Sequence, residues 1–189
     1  MNHATISASG VASCGGDRAG AALYSYVLPL REALATGRGQ LTRRRGLLVC
    51  LRDREGHAGW GEAAPLPGWH GPDLATTGEV LADWLRAAGR FEEPETYATR
   101  ADVTLREAPC AWAAIAGAAA DLAARRRDVS MASFLAGEMP APGASPGGPV
   151  PTAALVDGDT PESVTAAAIG AAAAGHTTLK LKVGSGPLA

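Results

Sequence analysis

The first part of the chain alternates apolar and polar residues in a pattern that predicts β-strands. Three runs are rich in aromatic and branched side chains: residues 23–30 (LYSYVLPL), 45–52 (RGLLVCLR) and 57–62 (HAGWGE). A short turn that ends in Gly56 separates the second run from the third. The pattern therefore predicts a three-stranded antiparallel meander. Residues 1–22, rich in Ser, Gly and Ala, are expected to form a poorly ordered tail.

Helical spacing replaces this alternation after an irregular loop. Residues 64–69 (APLPGW) contain two prolines and a glycine, which exclude regular structure. Apolar residues recur at helical spacing over 74–88, and an Ala-rich helix is predicted over 109–124, with Pro at its favoured first position. A further helical turn is predicted over 130–136. Residues 23–137 are therefore expected to form one α+β domain.

The pattern changes again after a Pro/Gly-rich segment. Residues 138–149 hold four prolines and three glycines, a composition typical of a linker. Beyond it, residues 150–156 and 177–183 (TTLKLKV) are predicted strands, and 160–174 is a predicted helix that begins with Thr as its cap. Strands joined through a helix at this spacing pair in parallel through a right-handed crossover. Residues 150–189 thus predict a βαβ unit.

Composition limits the classes of function. The 189 residues are 47% hydrophobic with a net charge of −2, so a packed core is expected and a nucleic-acid partner is not. No stretch reaches the roughly 20 apolar residues of a membrane span. Cys14, Cys50 and Cys110 are odd in number and widely spaced, which argues against a disulfide framework and favours a reducing compartment. The sequence predicts a soluble cytoplasmic protein without a membrane partner and leaves the oligomeric state open.

The last predicted strand contains both lysines of the chain. Lys180 and Lys182 are the only two lysines, whereas arginine occurs 15 times. Alternation places both lysines on one face of the strand, and it places Leu179, Leu181 and Val183 on the other, where they are expected to pack against the crossover helix.

Two interpretations of this lysine pair are open. The lysines could be solvated residues that protect an edge strand. Alternatively, Lys182 lies near the carboxyl end of the strand, where parallel α/β folds bind ligands. A like charge nearby favours the neutral form of an amine, which suits proton transfer.

Other candidate residues carry weaker signals. His57, His70 and His176 are scattered without ligand spacing and are expected at the surface or in turns. Glu62 and Asp73 flank the Pro-rich loop and are expected to be solvated. The sequence contains neither a Gly-rich phosphate loop nor a nucleophile elbow.

Four segments, in this order, carry a resemblance to a known family. They are residues 24–30 (YSYVLPL), 41–53 (LTRRRGLLVCLRD), 59–68 (GWGEAAPLPG) and 179–184 (LKLKVG). Together they resemble the enolase superfamily and, within it, the o-succinylbenzoate synthase family, from residue 23 to the last residue. The GWGE-x-APLPG run followed by K-x-K is fairly specific for this branch. The resemblance implies an α+β capping domain followed by the start of a (β/α) barrel.

The resemblance also implies a reaction and its residues. The family dehydrates 2-succinyl-6-hydroxy-2,4-cyclohexadiene-1-carboxylate to o-succinylbenzoate in menaquinone biosynthesis, with Mg²⁺ stabilising the enediolate. By resemblance, Lys182 removes the proton α to the carboxylate and then protonates the departing hydroxyl, with Lys180 beside it. The cap loop that closes over this small carboxylate substrate would contain Pro65, Leu66, Pro67 and Gly68.

The chain departs from the family in the extent of its barrel. Eight strands and about 200 residues or more form such a barrel, whereas residues 150–189 supply two strands. The family's metal-binding carboxylates and second lysine lie on later strands, so no metal ligand can be named. The sequence predicts the amino-terminal part of such an enzyme, inactive by itself. An N-acylamino acid racemase or muconate cycloisomerase type, and a non-catalytic cap-like fragment, remain alternatives.

Overall fold

The computed structural model of the protein comprises two compact units, residues 1–145 and residues 146–189. It describes residues 5–9, 20–36, 39–69, 71–87, 107–137 and 151–181. The boundary between the units falls inside residues 138–149, the predicted linker, which lies outside the described residues.

The first unit contains a four-stranded antiparallel sheet in which chain order and spatial order coincide. Its strands are β1 (Thr5–Ser9), β2 (Gly20–Thr36), β3 (Gly39–Arg52) and β4 (Ala58–Ala63). The predicted meander is confirmed as β2–β3–β4.

The expectation of a poorly ordered tail over residues 1–22 is wrong in two places. Thr5–Ser9 forms β1, which pairs with β2, and β2 itself begins at Gly20. Pairing at a sheet edge uses backbone groups that every residue other than proline carries in full. A short segment of small and branched residues can therefore extend a sheet without a strong hydrophobic pattern.

The β2–β3 hairpin is longer than the sequence pattern predicts. Pairing continues to Thr36 and Gly39, through a register irregularity between Pro29 and Leu34. A proline lacks the N–H that a ladder requires, and bulges tolerate this loss. The hairpin therefore extends well beyond the apolar residues that predicted its strands.

In the described part of the first unit three helices follow β4, and helices α1 and α2 bury one face of the sheet. They are α1 (Leu74–Ala87), α2 (Pro109–Arg126) and α3 (Met131–Ala136), each within a few residues of its predicted bounds. The core is formed by apolar side chains of β3, α1 and α2: Leu47, Val49, Leu51, Leu81, Leu85, Ile115 and Leu122. No helix among the described residues combines the length and the apolarity needed to cross a membrane.

Strand β4 and helix α2 approach each other closely because β4 carries two glycines. A Cβ added at Gly59 would lie 2.6 Å from the Leu122 Cβ, and one added at Gly61 would lie 2.7 Å from the Ala118 nitrogen. Real side chains do not make contacts this short. The glycines and the Ala-rich helix therefore fit one another, and this contact fixes the end of β4 from which the next loop begins.

The second unit is the predicted βαβ arrangement. Strand β5 (Ala154–Val156) pairs in parallel with β6 (Leu179–Leu181), and α4 (Pro161–Ala173) connects them. A capping box starts α4: the Thr160 hydroxyl accepts a hydrogen bond from the Ser163 N–H, and the Ser163 hydroxyl accepts one from the Thr160 N–H. The α/β part of the predicted fold class is thereby confirmed.

The packing expected for the last strand is not observed. Leu179 and Leu181 are 43% and 52% exposed, although they were expected to pack against the crossover helix. Helix α4 contacts β5, where Val156 is buried, and α4 itself has no buried residue. Two three-residue strands and one helix offer too little surface to cover both strands. Val183 lies outside the described residues.

Candidate functional site

The loop after β4 and the tip of the β2–β3 hairpin lie at the same end of the sheet. Residues 64–68, here called the APLPG loop, directly follow β4. Because β2, β3 and β4 are antiparallel neighbours, the end of β2 at Thr36 and the start of β3 at Gly39 share the edge at which β4 ends. The first unit therefore presents two chain segments at this end that can border a ligand.

A cleft of about 620 Å³ lies beside the APLPG loop. It is bordered by residues 40–45 of β3, by Pro65, Leu66 and Pro67, and by the first residues of α1. The structure thus brings three of the four cap-loop residues named by resemblance to one cleft. The fourth, Gly68, lies in the turn that follows, with φ +73°, a conformation that favours glycine.

Arg44 ties the APLPG loop to the sheet. Its Nη1 donates a hydrogen bond to the Pro65 carbonyl oxygen at 3.2 Å, and its Nη2 donates one to the Ala64 carbonyl oxygen. One planar guanidinium therefore holds two successive carbonyls, which a single ammonium group would not match in geometry. Nothing in the spacing of residues along the sequence signalled this contact.

A tyrosine–carboxylate pair lies on the same face of the sheet as Arg44. The Tyr26 hydroxyl donates a hydrogen bond to the Glu62 carboxylate. Gly46, the β3 partner of Tyr26, leaves the space in which the tyrosine ring lies, since a Cβ at Gly46 would overlap that ring. Burial, followed by the hydrogen bond to Glu62, raises the pKa of Tyr26 to about 12.

This raised pKa predicts a loss of stability at high pH. The unfolded tyrosine loses its proton near pH 10, whereas folded Tyr26 retains its proton up to about pH 12. The contribution of Tyr26 to the free energy of unfolding is therefore complete below pH 10 and declines as the pH rises toward 12. We expect Tyr26→Phe to lose less stability than the parent between pH 9 and pH 11.5, as measured by urea denaturation. Equal losses in the two proteins would contradict this assignment.

Asp73 borders the cleft and caps helix α1. Its Oδ1 accepts a hydrogen bond from the Thr76 N–H at 2.8 Å, and hydrogen bonds from Thr76 lower the pKa of Asp73. Glu62 and Asp73 are both exposed, as expected of solvated acids, and each also accepts a hydrogen bond. Glu62 accepts the Tyr26 hydroxyl, and Asp73 satisfies an N–H at the start of α1 that has no partner within the helix.

The structure describes one of the two candidate lysines. Lys180 is exposed in the middle of β6 and pairs with Leu155 of β5, so it shares a face with Leu155 and not with buried Val156. The predicted alternation of this strand is therefore observed at Lys180. Lys182 lies outside the described residues, and its proposed role as the base stays a prediction.

The described residues hold one group of side chains spaced to hold a metal, Asp53, Glu55 and His57. The Asp53 carboxylate already accepts a hydrogen bond from the His57 N–H at 2.8 Å, contacts the His57 Nδ1 at 2.9 Å and lies 3.5 Å from the Arg126 Nε. Mg²⁺ requires oxygen ligands in octahedral geometry. This group is a turn fixed by internal hydrogen bonds at the other end of β4, and it does not fit Mg²⁺.

The other histidines and the acids near Lys180 add no ligand set. His176 lies in the turn before β6, with its Nδ1 3.2 Å from the Thr152 carbonyl oxygen. His70 lies outside the described residues. Asp157 and Asp159 are exposed after β5, and the Asp157 Oδ1 accepts a hydrogen bond from the Gly158 N–H at 3.0 Å.

Comparisons with known proteins agree with this geometry. Residues 18–104 match the family model described as MenC, N-terminal domain. The o-succinylbenzoate synthase of Proteus mirabilis (strain HI4320) is 36% identical over 74 residues, which are 39% of this chain and 23% of that protein. Within these residues the chain is similar to the N-terminal domain of o-succinylbenzoate synthases. The synthase of Edwardsiella ictaluri (strain 93-146) is 40% identical over 78 residues, 39% of this chain and 24% of that protein.

The fold extends the similarity into the second unit. The crystal structure of a dipeptide epimerase from Enterococcus faecalis V583, complexed with Mg and the dipeptide L-Leu-L-Tyr, covers 89% of this chain with a TM-score of 0.73 and 23% identity. At this identity the likeness concerns the fold alone, an α+β domain followed by a parallel βαβ unit. The chain spans about a quarter of the length of the curated relatives it matches and 46% of the epimerase chain.

Proposed function

We propose that the chain is the amino-terminal part of an o-succinylbenzoate synthase-like lyase. The reaction would be the dehydration of 2-succinyl-6-hydroxy-2,4-cyclohexadiene-1-carboxylate to o-succinylbenzoate in menaquinone biosynthesis. The observation that carries this proposal is the match of residues 18–104 to the MenC N-terminal domain. The GWGEAAPLPG segment, which forms β4 and the APLPG loop, lies within those residues.

The proposed base is Lys182, with Lys180 beside it. The neutral Lys182 amine would take the proton α to the ring carboxylate and become an ammonium group. That ammonium would return a proton to the departing hydroxyl, so one water molecule leaves and the diene ring becomes aromatic. Lys180 lies on the face of β6 opposite buried Val156, the face from which a second lysine two residues further on would also project. Its positive charge would favour the neutral form of the base.

The cap would supply the substrate-binding surface through its cleft. Pro65, Leu66 and Pro67 offer apolar contacts to a six-membered ring, and Gly68 lets the loop turn away from it. Arg43 and Arg45 border the same cleft and suit the negative charge of a substrate with two carboxylates. This composition fits a small carboxylate substrate.

Mg²⁺ is the proposed cofactor of the complete activity, and its ligands would lie outside the described residues. The group at Asp53 does not fit the ion, and Asp157 and Asp159 are two exposed loop carboxylates. The proposed location is the cytoplasm, with neither a nucleic acid nor a membrane as partner. The oligomeric state is not part of the proposal.

Related activities of the superfamily, N-acylamino acid racemisation and muconate cycloisomerisation, are the alternatives. The Proteus mirabilis and Edwardsiella ictaluri relatives are both o-succinylbenzoate synthases, which favours the dehydration. The dipeptide epimerase is 23% identical to this chain, so its similarity supports the fold alone.

A hybrid enzyme tests the proposed reaction. Residues 1–183 of this chain would be joined to the remaining barrel of the Proteus mirabilis synthase, and folding would be verified by circular dichroism and size-exclusion chromatography. We expect the folded hybrid to form o-succinylbenzoate from the cyclohexadiene substrate. A folded hybrid that racemises N-acylamino acids and leaves the diene unchanged would overturn the proposal in favour of the alternative.

We expect the polypeptide of residues 1–189, assayed alone, to show no dehydratase activity and no tight Mg²⁺ binding. Enolate formation needs a metal at the substrate carboxylate, and the described carboxylates do not form an octahedral site. Calorimetric titration with Mg²⁺ should reveal nothing tighter than about millimolar affinity, the weak end of the protein range for such hard cations. Turnover by this polypeptide, or micromolar Mg²⁺ binding, would contradict the expectation.

A further inference from the structure

The APLPG loop has few backbone groups with which to hold its conformation. Pro65 and Pro67 lack N–H groups, so this segment cannot pair with β3 as β4 does. Within the turn, the Trp69 N–H donates a hydrogen bond to the Leu66 carbonyl oxygen at 3.2 Å. With two of its five N–H groups missing, the loop depends more on its carbonyl oxygens, and these require a donor from elsewhere in the fold.

Arg44 supplies that donor from the neighbouring strand. Its two terminal nitrogens bind the carbonyl oxygens of Ala64 and Pro65, the first two residues of the loop. The Arg44 side chain is partly buried, which strengthens its hydrogen bonds relative to those of a fully solvated guanidinium. Strand β3 is itself fixed by the core side chains of Leu47, Val49 and Leu51. The Arg44 side chain therefore connects the loop to a strand that is packed into the core of the domain.

Arg44 has charged and polar neighbours on the same face of the sheet. Tyr26 of β2 and Glu62 of β4 are joined by a hydrogen bond across β3. Both Glu62 and Arg44 act electrostatically on the Tyr26 hydroxyl, so the three groups lie close together. Gly46 leaves room for the tyrosine ring two residues along β3 from Arg44. The Tyr26–Glu62 pair and Arg44 therefore lie on the same face of the sheet.

We propose that Arg44 is a positioning residue that fixes the APLPG loop in the conformation that borders the substrate cleft. Arg44 would act through the loop rather than on the reacting atoms, so it would set how well substrate is held and not how the proton moves. The role in substrate binding rests on the proposed function. The anchoring of the loop does not.

Hydrogen exchange on the full 189-residue chain tests the anchoring without any assay of activity. Arg44→Ala removes both donors, and a hydrogen bond to a charged group typically protects by about one to two orders of magnitude in the equilibrium constant. We expect exchange in a peptide spanning residues 62–69, which includes the Trp69 amide, to accelerate about 10-fold or more. Peptides from the core segment 47–51 should exchange at the parental rate. Arg44→Lys should restore protection only in part, because an ammonium group lacks the planar fork.

Arg31→Ala is the matched control. Arg31 is exposed on β2, and among the described residues no hydrogen bond or ion pair joins it to the APLPG loop, so its removal should leave exchange of residues 62–69 unchanged. Unchanged exchange in Arg44→Ala, or acceleration of the core and loop peptides by the same factor, would overturn the proposal. The second outcome would show a general loss of stability instead of loop anchoring.

A kinetic measurement separates this proposal from the proposed function. In the hybrid enzyme, Arg44→Ala should raise KM about 10-fold while kcat changes by less than about 3-fold, since the reacting groups are untouched. A parent hybrid that folds but does not dehydrate the substrate would overturn the proposed function and leave the exchange result standing. A fall in kcat with unchanged KM would overturn the positioning role.

Discussion

Gly61→Ala should lower the free energy of unfolding of the first unit by about 3 kcal/mol or more, at the upper end of the usual cost of overpacking. The added methyl group would lie 2.7 Å from the Ala118 nitrogen and closer still to the Ala114 carbonyl oxygen. Both atoms belong to the backbone of helix α2, so no side chain can rotate away to relieve the contact. Helix and strand would have to separate, and the core between them would loosen.

Tryptophan fluorescence during urea denaturation measures this effect selectively. All four tryptophans, Trp60, Trp69, Trp84 and Trp112, belong to the first unit, so their signal reports on that unit alone. A midpoint for Gly61→Ala equal to the parental midpoint, with an unchanged slope, would contradict the close contact between β4 and α2.

Gly117→Ala is the matched control for this prediction. Gly117 lies in α2 at the same contact, yet a Cβ added there would meet only the Gly61 Cα at 3.7 Å, an ordinary van der Waals distance. Alanine is the better helix former by about 1 kcal/mol. We therefore expect Gly117→Ala to be neutral or stabilising. Changes of opposite sign in the free energy of unfolding would show that the space around the added methyl group determines the effect. The loss of a glycine would not explain such a difference.

The elements that the sequence predicts well are those whose signal lies in side-chain periodicity. Helix α2 is one example, because Pro109 and the apolar spacing mark its first residue and its buried face. The parallel pairing of β5 and β6 is another, because it follows from a helix between two short apolar strands. Strand β1 could not be predicted in this way. Its residues pair through the backbone at the edge of the sheet, and its alternation rests only on Ile6 and Ala8, too short a pattern within a Ser-, Gly- and Ala-rich segment to predict a strand.

The sequence motif predicted which loop residues lie together beside a cleft. It did not predict the side chains that hold this loop in place. The motif at residues 59–68 pointed to Pro65, Leu66 and Pro67, which do border one cleft. Arg44, Tyr26 and Glu62 come from three different strands, and their proximity depends on the register of β2 and β4 against β3. The register is set by long-range pairing, so a reading of local spacing could only class Glu62 as a solvated acid.

The exposed leucines of β6 show that the sequence pattern of a strand does not predict which of its side chains are buried. Alternation correctly separates Lys180 from Leu179 and Leu181, because side chains of a strand alternate whatever surrounds it. It does not show which surface covers the apolar side, and Leu179 and Leu181 stay about half exposed. Burial depends on the elements that pack on a strand, and periodicity along that strand contains no information about them.

Lys182→Arg should abolish proton abstraction almost as completely as Lys182→Ala in the hybrid enzyme. A guanidinium keeps its proton under any working condition, so it conserves the positive charge but cannot act as a base. Loss of a general base typically costs about 10²–10⁴-fold in rate. The measurement is exchange of the substrate α-proton in D₂O, which follows proton removal directly and does not require the hydroxyl to leave.

Lys180→Arg is the matched control for Lys182→Arg. Lys180 is proposed to act by its charge next to the base, and arginine retains that charge, so this variant should keep far more exchange activity than Lys182→Arg. Substrate affinity should stay measurable in both variants, because the cap surface at the APLPG loop is unchanged. Parental α-proton exchange in Lys182→Arg would show that another group is the base. A loss of α-proton exchange in Lys180→Arg alone would show that Lys180 is the base and Lys182 its charged neighbour. Replacing the base by arginine abolishes exchange because a guanidinium does not release its proton.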